Sequence, residues 1–351
     1  MGKYFFIGIL ALTMISCDTD NDQQPEIQMK LTALGLDDHI INEIKIKANH
    51  VYVSTDQGFY TAELTDEPDW DLKGFSGKNV QAVLVLNENE FVVSLTDREN
   101  PENPSLYKTT NGGDTWEDFQ NGFGGTENEI VRDLWQDPEN VDVWYGVGNN
   151  VVAKTEDAGM SWTPIYGEWN GFASGVSIVR VNPHENQHIW AGGQNAIEQG
   201  YLLRTIDGGE NWTEMYDLLP APTVAKEMIF HPTESETILA GFEGGLIKTI
   251  NNGESWQTVI DTHESSRFFF GIARDPADPS TICAGGWIKS FDDPQPFILY
   301  RSTNNGDSWK TYESDEIDFG GIYDMVWTGT GENKRLLAGL YKGGIYEISF
   351  E

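Results

Sequence analysis

The chain has 351 residues, with 56 Asp and Glu against 22 Lys and Arg, so its formal net charge is −34. A surface this acidic repels nucleic acid and anionic membrane surfaces, which argues against either as a partner. The 12% aromatic content predicts a substantial hydrophobic core. The acidic residues are dispersed and lack calcium-loop spacing, so we expect no metal and no cofactor.

The N-terminus has the pattern of an export signal. A basic start precedes an apolar run from Phe5 to Met14, which is too short to span a bilayer. The run ends in Met14-Ile-Ser-Cys17, which resembles the lipobox of bacterial lipoproteins. That resemblance implies cleavage before Cys17 and a lipid on its sulfur; the alternative is an ordinary signal peptide with an incidental cysteine. We expect a signal peptide over residues 1–16 and contact with the membrane through the lipid only.

Residues 17–25 are polar and acidic, which predicts a flexible tether. An acidic stretch after the lipidated cysteine also resembles surface-export signals of some Gram-negative lipoproteins, so we expect the outer membrane, with the cell surface as an option. The other cysteine, Cys283, lies in a strand-like segment and is expected to be a small buried hydrophobe. Residues 26–351 form the predicted folded domain.

A nine-residue motif recurs five times in this domain. The first copy is Lys108-Thr-Thr-Asn-Gly-Gly-Asp-Thr-Trp116, and the others cover residues 154–162, 204–212, 248–256 and 301–309. The Trp residues that end successive copies are 44 to 53 residues apart, a period typical of propeller blades. Asp or Asn accepting hydrogen bonds from amides two residues on, and Gly with positive φ, suit a tight hairpin turn. The Trp would then begin the next strand.

The motif resembles the Asp box of the sialidase and sortilin-like BNR repeat superfamily, which implies a β-propeller. Short strands surround each copy, and residues 51–64 with Trp70 read as a first blade that lacks the motif. Three strands after residue 322 need a fourth, which Ile27–Leu31 supplies from the other end of the domain. We therefore predict an all-β fold, a propeller with seven four-stranded antiparallel blades; six or eight blades are the alternatives.

The resemblance places a ligand at the channel mouth, on the face opposite the repeated motif. The loops predicted on that face are irregular, and insertions on one face of a repeat protein often mark its binding face. Trp169 and Trp287 are the two Trp residues that we place in these loops; the alternative is that such aromatics only pack the loops. The candidate ligand-binding residues are Arg98, Trp169, Phe172, Glu198, His263, Glu264, Arg267, Trp287, Lys289, Phe291, Tyr341 and Lys342.

Two functional classes follow from these residues. The Phe/Tyr-Arg-Ile-Pro motif of sialidases is absent, and Arg180 is placed toward the far end of its strand, so the sialidase set does not carry over. The preferred hypothesis is a monomeric propeller that binds or scaffolds a glycan or protein ligand. The alternative is a glycoside hydrolase or polysaccharide lyase. Its carboxylate pair would come from Glu198, Glu264, Asp293 and Asp315, or its base would be His263.

Overall fold

The computed structural model of the protein describes residues 27–96, 105–119, 130–167, 174–195, 200–220, 223–263 and 266–351. Within these ranges the chain forms seven four-stranded antiparallel sheets arranged as the blades of a propeller. This confirms the predicted fold class. The predicted signal peptide, Cys17 and the tether lie outside the described residues.

Each of the first six blades is one continuous stretch of chain, with its strands in sequence order from the axis outward. Blade 1 has β2 (Ile41–Lys47), β3 (His50–Thr55), β4 (Gly58–Glu63) and β5 (Asp71–Gly74). Blade 2 has β6 (Val80–Val85), β7 (Phe91–Leu95), β8 (Leu106–Thr109) and β9 (Glu117–Asp118). Blade 3 has β10 (Asp133–Gln136), β11 (Trp144–Gly148), β12 (Val151–Thr155) and β13 (Thr163–Gly167).

The next three blades repeat this order. Blade 4 has β14 (Ser174–Val181), β15 (Ile189–Asn195), β16 (Gly200–Thr205) and β17 (Thr213–Glu214). Blade 5 has β18 (Ala225–Phe230), β19 (Ile238–Phe242), β20 (Gly245–Thr249) and β21 (Gln257–Asp261). Blade 6 has β22 (Arg267–Arg274), β23 (Ile282–Ile288), β24 (Phe297–Ser302) and β25 (Lys310–Ser314). Two 3₁₀ turns, Tyr216–Leu218 and Gly331–Asn333, are the helical segments of the described chain.

Blade 7 joins the two ends of the domain. It contains β26 (Ile322–Thr328), β27 (Arg335–Leu340) and β28 (Gly344–Phe350), and its outer strand is β1 (Met29–Gly35). Strands β1 and β28 pair antiparallel, with Met29 opposite Phe350. The N-terminal strand therefore supplies the fourth strand of the last blade as predicted, and hydrogen bonds between the first and last strands hold the ring closed.

The repeated motif forms the turn between the third and fourth strands of blades 2–6. In blade 3 the Thr155 hydroxyl donates to Asp157 and accepts from the Gly159 amide, while Asp157 accepts from the Ser161 amide. The turn thus has two acceptors, and the Asp side chain reaches four residues ahead. The predicted reach of two residues is wrong, because the Gly159 amide, two residues after Asp157, donates to the Thr155 hydroxyl instead. The other four turns repeat both bonds: a glycine amide donates to the Thr or Ser hydroxyl, and a later backbone amide donates to the Asp or Asn side chain.

Trp residues that precede outer strands tie neighbouring blades together. The indole nitrogen of Trp212 donates to the Ile165 carbonyl in the outer strand of the preceding blade, at 2.8 Å. Trp116 makes the same bond to Lys73, and Trp70 to Leu34. Trp70 therefore makes in blade 1 the bond that Trp116 and Trp212 make in blades 2 and 4, although the motif itself is missing there, whereas Trp309 donates to the Gly306 carbonyl of its own turn.

Candidate ligand site at the channel mouth

A cavity of about 700 Å³ lies along the propeller axis. The first strands of the blades wall it, and these strands run from the face of the inter-blade loops toward the face of the repeated turns. Residues at the start of a first strand are therefore near the predicted ligand face, and residues at its end are near the opposite face.

A ring of seven side chains lines this cavity near the starts of the first strands. In six blades the pairing between first and second strands shifts register at this level, which leaves one extra residue on the first strand. Such a bulge redirects the side chain of the extra residue. In blade 3, Arg132 occupies the same place directly before β10. We call this set the mouth ring: Asn42, Gln81, Arg132, Ser177, Lys226, Phe270 and Tyr323.

The mouth ring combines hydrogen-bonding groups, cations and aromatic rings, and it contains neither a carboxylate nor a histidine. Asn42 donates to Asn79 and to the Val80 carbonyl. Arg132 donates to Asn149 at 2.9 Å. These bonds fix the polar side chains in place around the cavity.

Lys226 is a largely buried cation of the mouth ring. Its Nζ lies 3.3 Å from a Glu243 carboxylate oxygen, 4.8 Å from the ring centre of Phe268 and 5.3 Å from that of Phe270. The Nζ of Lys289 lies over the same Phe268 ring at 5.7 Å. Burial lowers the pKa of Lys226, and the charge of Lys289 lowers it further, against the opposing effect of Glu243.

An aromatic cluster supports the mouth ring in blades 6 and 7. Phe270 and Tyr323 stack with ring centres 4.7 Å apart and planes at 28°. Trp287 lies behind them, 5.3 Å from Tyr323 and 5.3 Å from Tyr341.

The prediction that Trp287 lies in a loop is wrong. The residue belongs to β23, pairs with Phe268, and is only 2% exposed. The small residues Ala284 and Gly285 predict that the strand ends there, but β23 continues to Ile288. Trp287 therefore packs the site from behind and is not an exposed surface for stacking.

A second layer lies directly beneath the mouth ring. The residue after each ring member is acidic in blades 1, 3, 5 and 7, and small or apolar in blades 2, 4 and 6. The acidic members, which we call the carboxylate layer, are Glu43, Asp133, Glu227 and Asp324.

Three members of the carboxylate layer accept a backbone amide from the first strand of the following blade. Glu43 accepts from the Val83 amide at 2.7 Å and Asp133 from the Val179 amide at 3.0 Å. Asp324 accepts from the Ile44 amide. These carboxylates therefore connect blades, which is a structural role.

Two cations complete this layer. Arg180 forms an ion pair with Asp133 and donates hydrogen bonds to both carboxylate oxygens of Glu227. It therefore bridges blades 3 and 5. Burial acts to lower the pKa of Arg180, but the two carboxylates raise it above its ordinary value. Lys45 pairs with Glu43 at 2.5 Å. Arg180 lies near the end of β14, as predicted, but its side chain also lines the channel, which its position along the strand did not indicate.

Asp324 and Glu43 are neighbours across the ring closure. Burial raises the pKa of Asp324 to about 7, opposed by Lys45 and assisted by Glu43. Burial also raises the pKa of Glu43, although Lys45 works against the shift. One of these two carboxyl groups is therefore readily protonated near neutral pH.

Of the remaining predicted residues, Phe291, Tyr341 and Lys342 lie together beside Trp287, with the Phe291 ring centre 5.5 Å from that of Trp287 and 6.3 Å from that of Tyr341. His263 is exposed and lies 3.2 Å from Asp261, and Arg267 opens β22 and donates to the Tyr300 hydroxyl at 2.7 Å. Lys342 donates to Asp292 and the Phe291 carbonyl. Phe291 is 52% exposed, whereas Tyr341 is 7% exposed. Arg98, Trp169, Phe172, Glu198 and Glu264 lie outside the described residues.

Sequence reasoning missed the mouth ring and the carboxylate layer. A signal was present, because an acidic residue interrupts an apolar first strand at one repeat position in four blades, as in Ile41-Asn-Glu-Ile44 and Ile322-Tyr-Asp-Met325. Aligning the first strands of the blades, instead of only the turns, would have found both layers.

No protein-family model matches the chain, and no curated protein matches its sequence. Solved structures with a similar fold include a GH74 xyloglucanase from Xanthomonas campestris, with a TM-score of 0.66 and 15% identity over 91% of this chain and 53% of that one. Another is YCF48 bound to D1 peptide, with a TM-score of 0.62 and 14% identity over 91% and 96% of the two chains. The extracellular domain of BT4673 from B. thetaiotaomicron gives a TM-score of 0.64 and 13% identity over 91% of this chain and 39% of that one.

This chain thus spans about half the length of the xyloglucanase that it matches. At these identities the likeness shows the propeller fold. In the described ranges of the chain, no helix has the length and apolar character needed to cross a membrane. The same ranges contain no group of three or more His, Cys, Asp or Glu side chains suited to holding a metal ion.

Proposed function

We propose that this protein is an exported, lipid-anchored propeller of the bacterial cell envelope that binds a glycan or protein ligand at the channel mouth without transforming it. The observation that carries the proposal is the mouth ring: one side chain from each blade converges on a single cavity of about 700 Å³. Cavities of this size, lined by aromatic rings and a few fixed polar groups, are typical of ligand sites.

The chemistry of the mouth ring favours binding over catalysis. General acid–base catalysis most often uses the side chains of His, Asp or Glu, and the mouth ring contains none of these three residue types. The carboxylates beneath it already accept backbone amides or arginine. The geometry of the five turns and the Cys17 lipobox support placing the protein among Asp-box propellers and lipoproteins.

One observation favours the alternative, a carbohydrate-active enzyme acting in the same cavity. Asp324 lines the cavity, and its pKa of about 7 suits a general acid. A second carboxylate, Glu43, lies in the adjacent blade and lines the same cavity. The GH74 xyloglucanase shares the propeller fold, and its name assigns it a glycan substrate.

The test is a screen of envelope glycans and peptides that records both retention and cleavage by the purified full-length chain. We expect retention that Phe270→Leu and Tyr323→Leu each weaken about 30-fold, the loss typical of an aromatic anchor. Ile250→Ala, on an exposed repeated turn at the opposite face, is the control and should bind normally. Cleavage that disappears in Asp324→Asn while binding persists would replace the binding proposal with the enzyme.

A further inference from the structure

The mouth ring has the opposite charge to the rest of the protein. The chain as a whole carries −34, yet the seven side chains of the ring include two cations, Arg132 and Lys226, and no anion. Lys289 adds a third cation at the rim, beside Lys226 across the Phe268 ring. A positive site within an acidic surface attracts anions locally, while the surrounding charge repels those that do not fit.

Lys226 is held where a bound anion would stabilise it. Its side chain is 14% exposed, and its ion pair with Glu243 is loose at 3.3 Å. The ammonium groups of Lys226 and Lys289 lie over the same Phe268 ring and repel each other. This repulsion acts to lower the pKa of Lys226. An anion near both ammonium groups would offset the burial cost and the repulsion together.

The acidic layer beneath does not cancel this site. Arg180 places one positive charge between Asp133 and Glu227, and Lys45 pairs with Glu43. Burial raises the pKa of Asp324 to about 7, which lowers its average negative charge at neutral pH. Two cations therefore offset two of the four carboxylates, and the raised pKa of Asp324 lowers the negative charge that remains in the layer at neutral pH.

We propose that the mouth ring binds an acidic oligosaccharide, with its carboxylate or sulfate group at Lys226 and Lys289 and its sugar ring against the Phe270–Tyr323 pair. This inference rests on the proposed binding function and names its ligand class. The amide of Gln81 and the side-chain oxygen atoms of Asn42 and Ser177, on the same ring, suit the hydroxyl groups of a sugar.

The backbone around the cavity disfavours an extended peptide. A peptide that adds to a sheet edge pairs with free amides of the edge strand. In blades 1, 2 and 4 an inner-edge amide is already occupied, because the amides of Ile44, Val83 and Val179 donate to the carboxylate layer. We therefore assign recognition of the ligand to the side chains of the mouth ring.

The experiment compares matched charged and neutral oligosaccharides by calorimetry. The pairs are oligogalacturonate with its methyl ester, and a sulfated galactan fragment with its desulfated form. We expect at least one acidic member to bind about 10-fold or more tighter than its neutral partner, with the difference shrinking at high salt. The two pairs separate carboxylate from sulfate as the recognised group.

Lys226→Met keeps the apolar stem and removes the charge. It should lower affinity for the acidic sugar about 10-fold and leave the neutral sugar unchanged. Lys248→Met is the matched control, because Lys248 is 12% exposed and ion-paired but lies at the repeated turns of the opposite face. Lys289→Met, at the rim, provides a second test if Lys226→Met lowers the melting temperature beyond the control.

The outcomes distinguish this inference from the function on which it rests. Equal binding of charged and neutral sugars, or undiminished acidic binding in both lysine variants, would overturn the acidic-glycan assignment and leave glycan binding intact. Preference for acidic peptides over every sugar would also overturn it. Absence of binding to any glycan or peptide in the screen would instead remove the proposed function itself.

Discussion

Asp324, in the first strand of blade 7, accepts a hydrogen bond from the backbone amide of Ile44, in the first strand of blade 1, at 2.6 Å. The bond joins residues 280 positions apart and lies at the point where the ring closes. The acidic residues of this level occupy alternate blades, but seven blades cannot alternate completely. Two acidic blades must therefore adjoin, and they do so here, where Asp324 meets Glu43.

This placement predicts a stability that depends on pH through Asp324. Below about pH 4 the folded and unfolded states both hold the proton; as the pH rises toward 7, the unfolded carboxyl ionises first, so the folded state loses stability. Asp324→Asn removes this loss. Relative to the parent protein, the variant should gain about 2 kcal/mol between pH 4 and pH 8, a value reduced for screening by water in the cavity.

Urea unfolding across that pH range measures the effect. Glu313→Gln, on the exposed outer strand β25, controls for the general effect of removing one negative charge. Parallel pH profiles for Asp324→Asn and the parent protein would show that the closure carboxyl does not hold its proton.

Arg180 should be essential to the stability of the propeller. Arg180→Met leaves Asp133 and Glu227 without their cation in a largely buried site, which typically costs about 3–5 kcal/mol. Lys154→Met, which breaks an exposed pair with Glu156, should cost less than about 1 kcal/mol. Thermal melts of both variants make the comparison; equal shifts would contradict the bridging role.

Two glycines of the repeated turns should respond differently to alanine. Gly159 and Gly208 both have positive φ, but a Cβ on Gly159 would lie 2.5 Å from Phe119, whereas one on Gly208 would meet nothing within 4 Å. Gly208→Ala should therefore cost only the backbone term, about 1 kcal/mol, and Gly159→Ala roughly 1–3 kcal/mol more. Equal melting shifts would mean that blade 2 can move away from this turn.

Trp212 should contribute to the contact between blades 3 and 4. Trp212→Ala removes its packing on Tyr166 and its bond to the Ile165 carbonyl, and should cost about 3 kcal/mol. Trp212→Phe keeps most of the packing and should cost about 1 kcal/mol for the lost bond. The difference between the two melting shifts separates packing from hydrogen bonding, and a Phe variant as unstable as the Ala variant would assign the contact to the bond alone.

The proposed lipid anchor depends on one residue. Cys17→Ala should move the protein from the membrane fraction to the soluble fraction, because without the acyl chains the proposed mode of attachment is lost. Cell fractionation with immunodetection measures the distribution, and Cys283→Ala is the control. Unchanged membrane association of Cys17→Ala would contradict the anchor.

The sequence by itself determined the blade plan. The five turns are local, each made by hydrogen bonds within nine residues such as those of Thr155 and Asp157, so their recurrence is visible without tertiary structure. The blade-sized period and the spare N-terminal strand then predicted seven blades, with six or eight as alternatives, and closure of the ring through β1. Turn chemistry and repeat length are properties of neighbouring residues, which is why the sequence sufficed.

Only the tertiary structure decided what faces the channel. Glu43 and Asp324 are far apart in sequence, and they become neighbours because the ring closes. The length of β23 decides whether Trp287 is a loop residue or a buried one, and pairing with Phe268 sets that length. Register shifts of one residue in the first strands direct Lys226 and Tyr323 into the cavity. Such shifts arise from pairing between strands, so the order of residues along one strand does not reveal them.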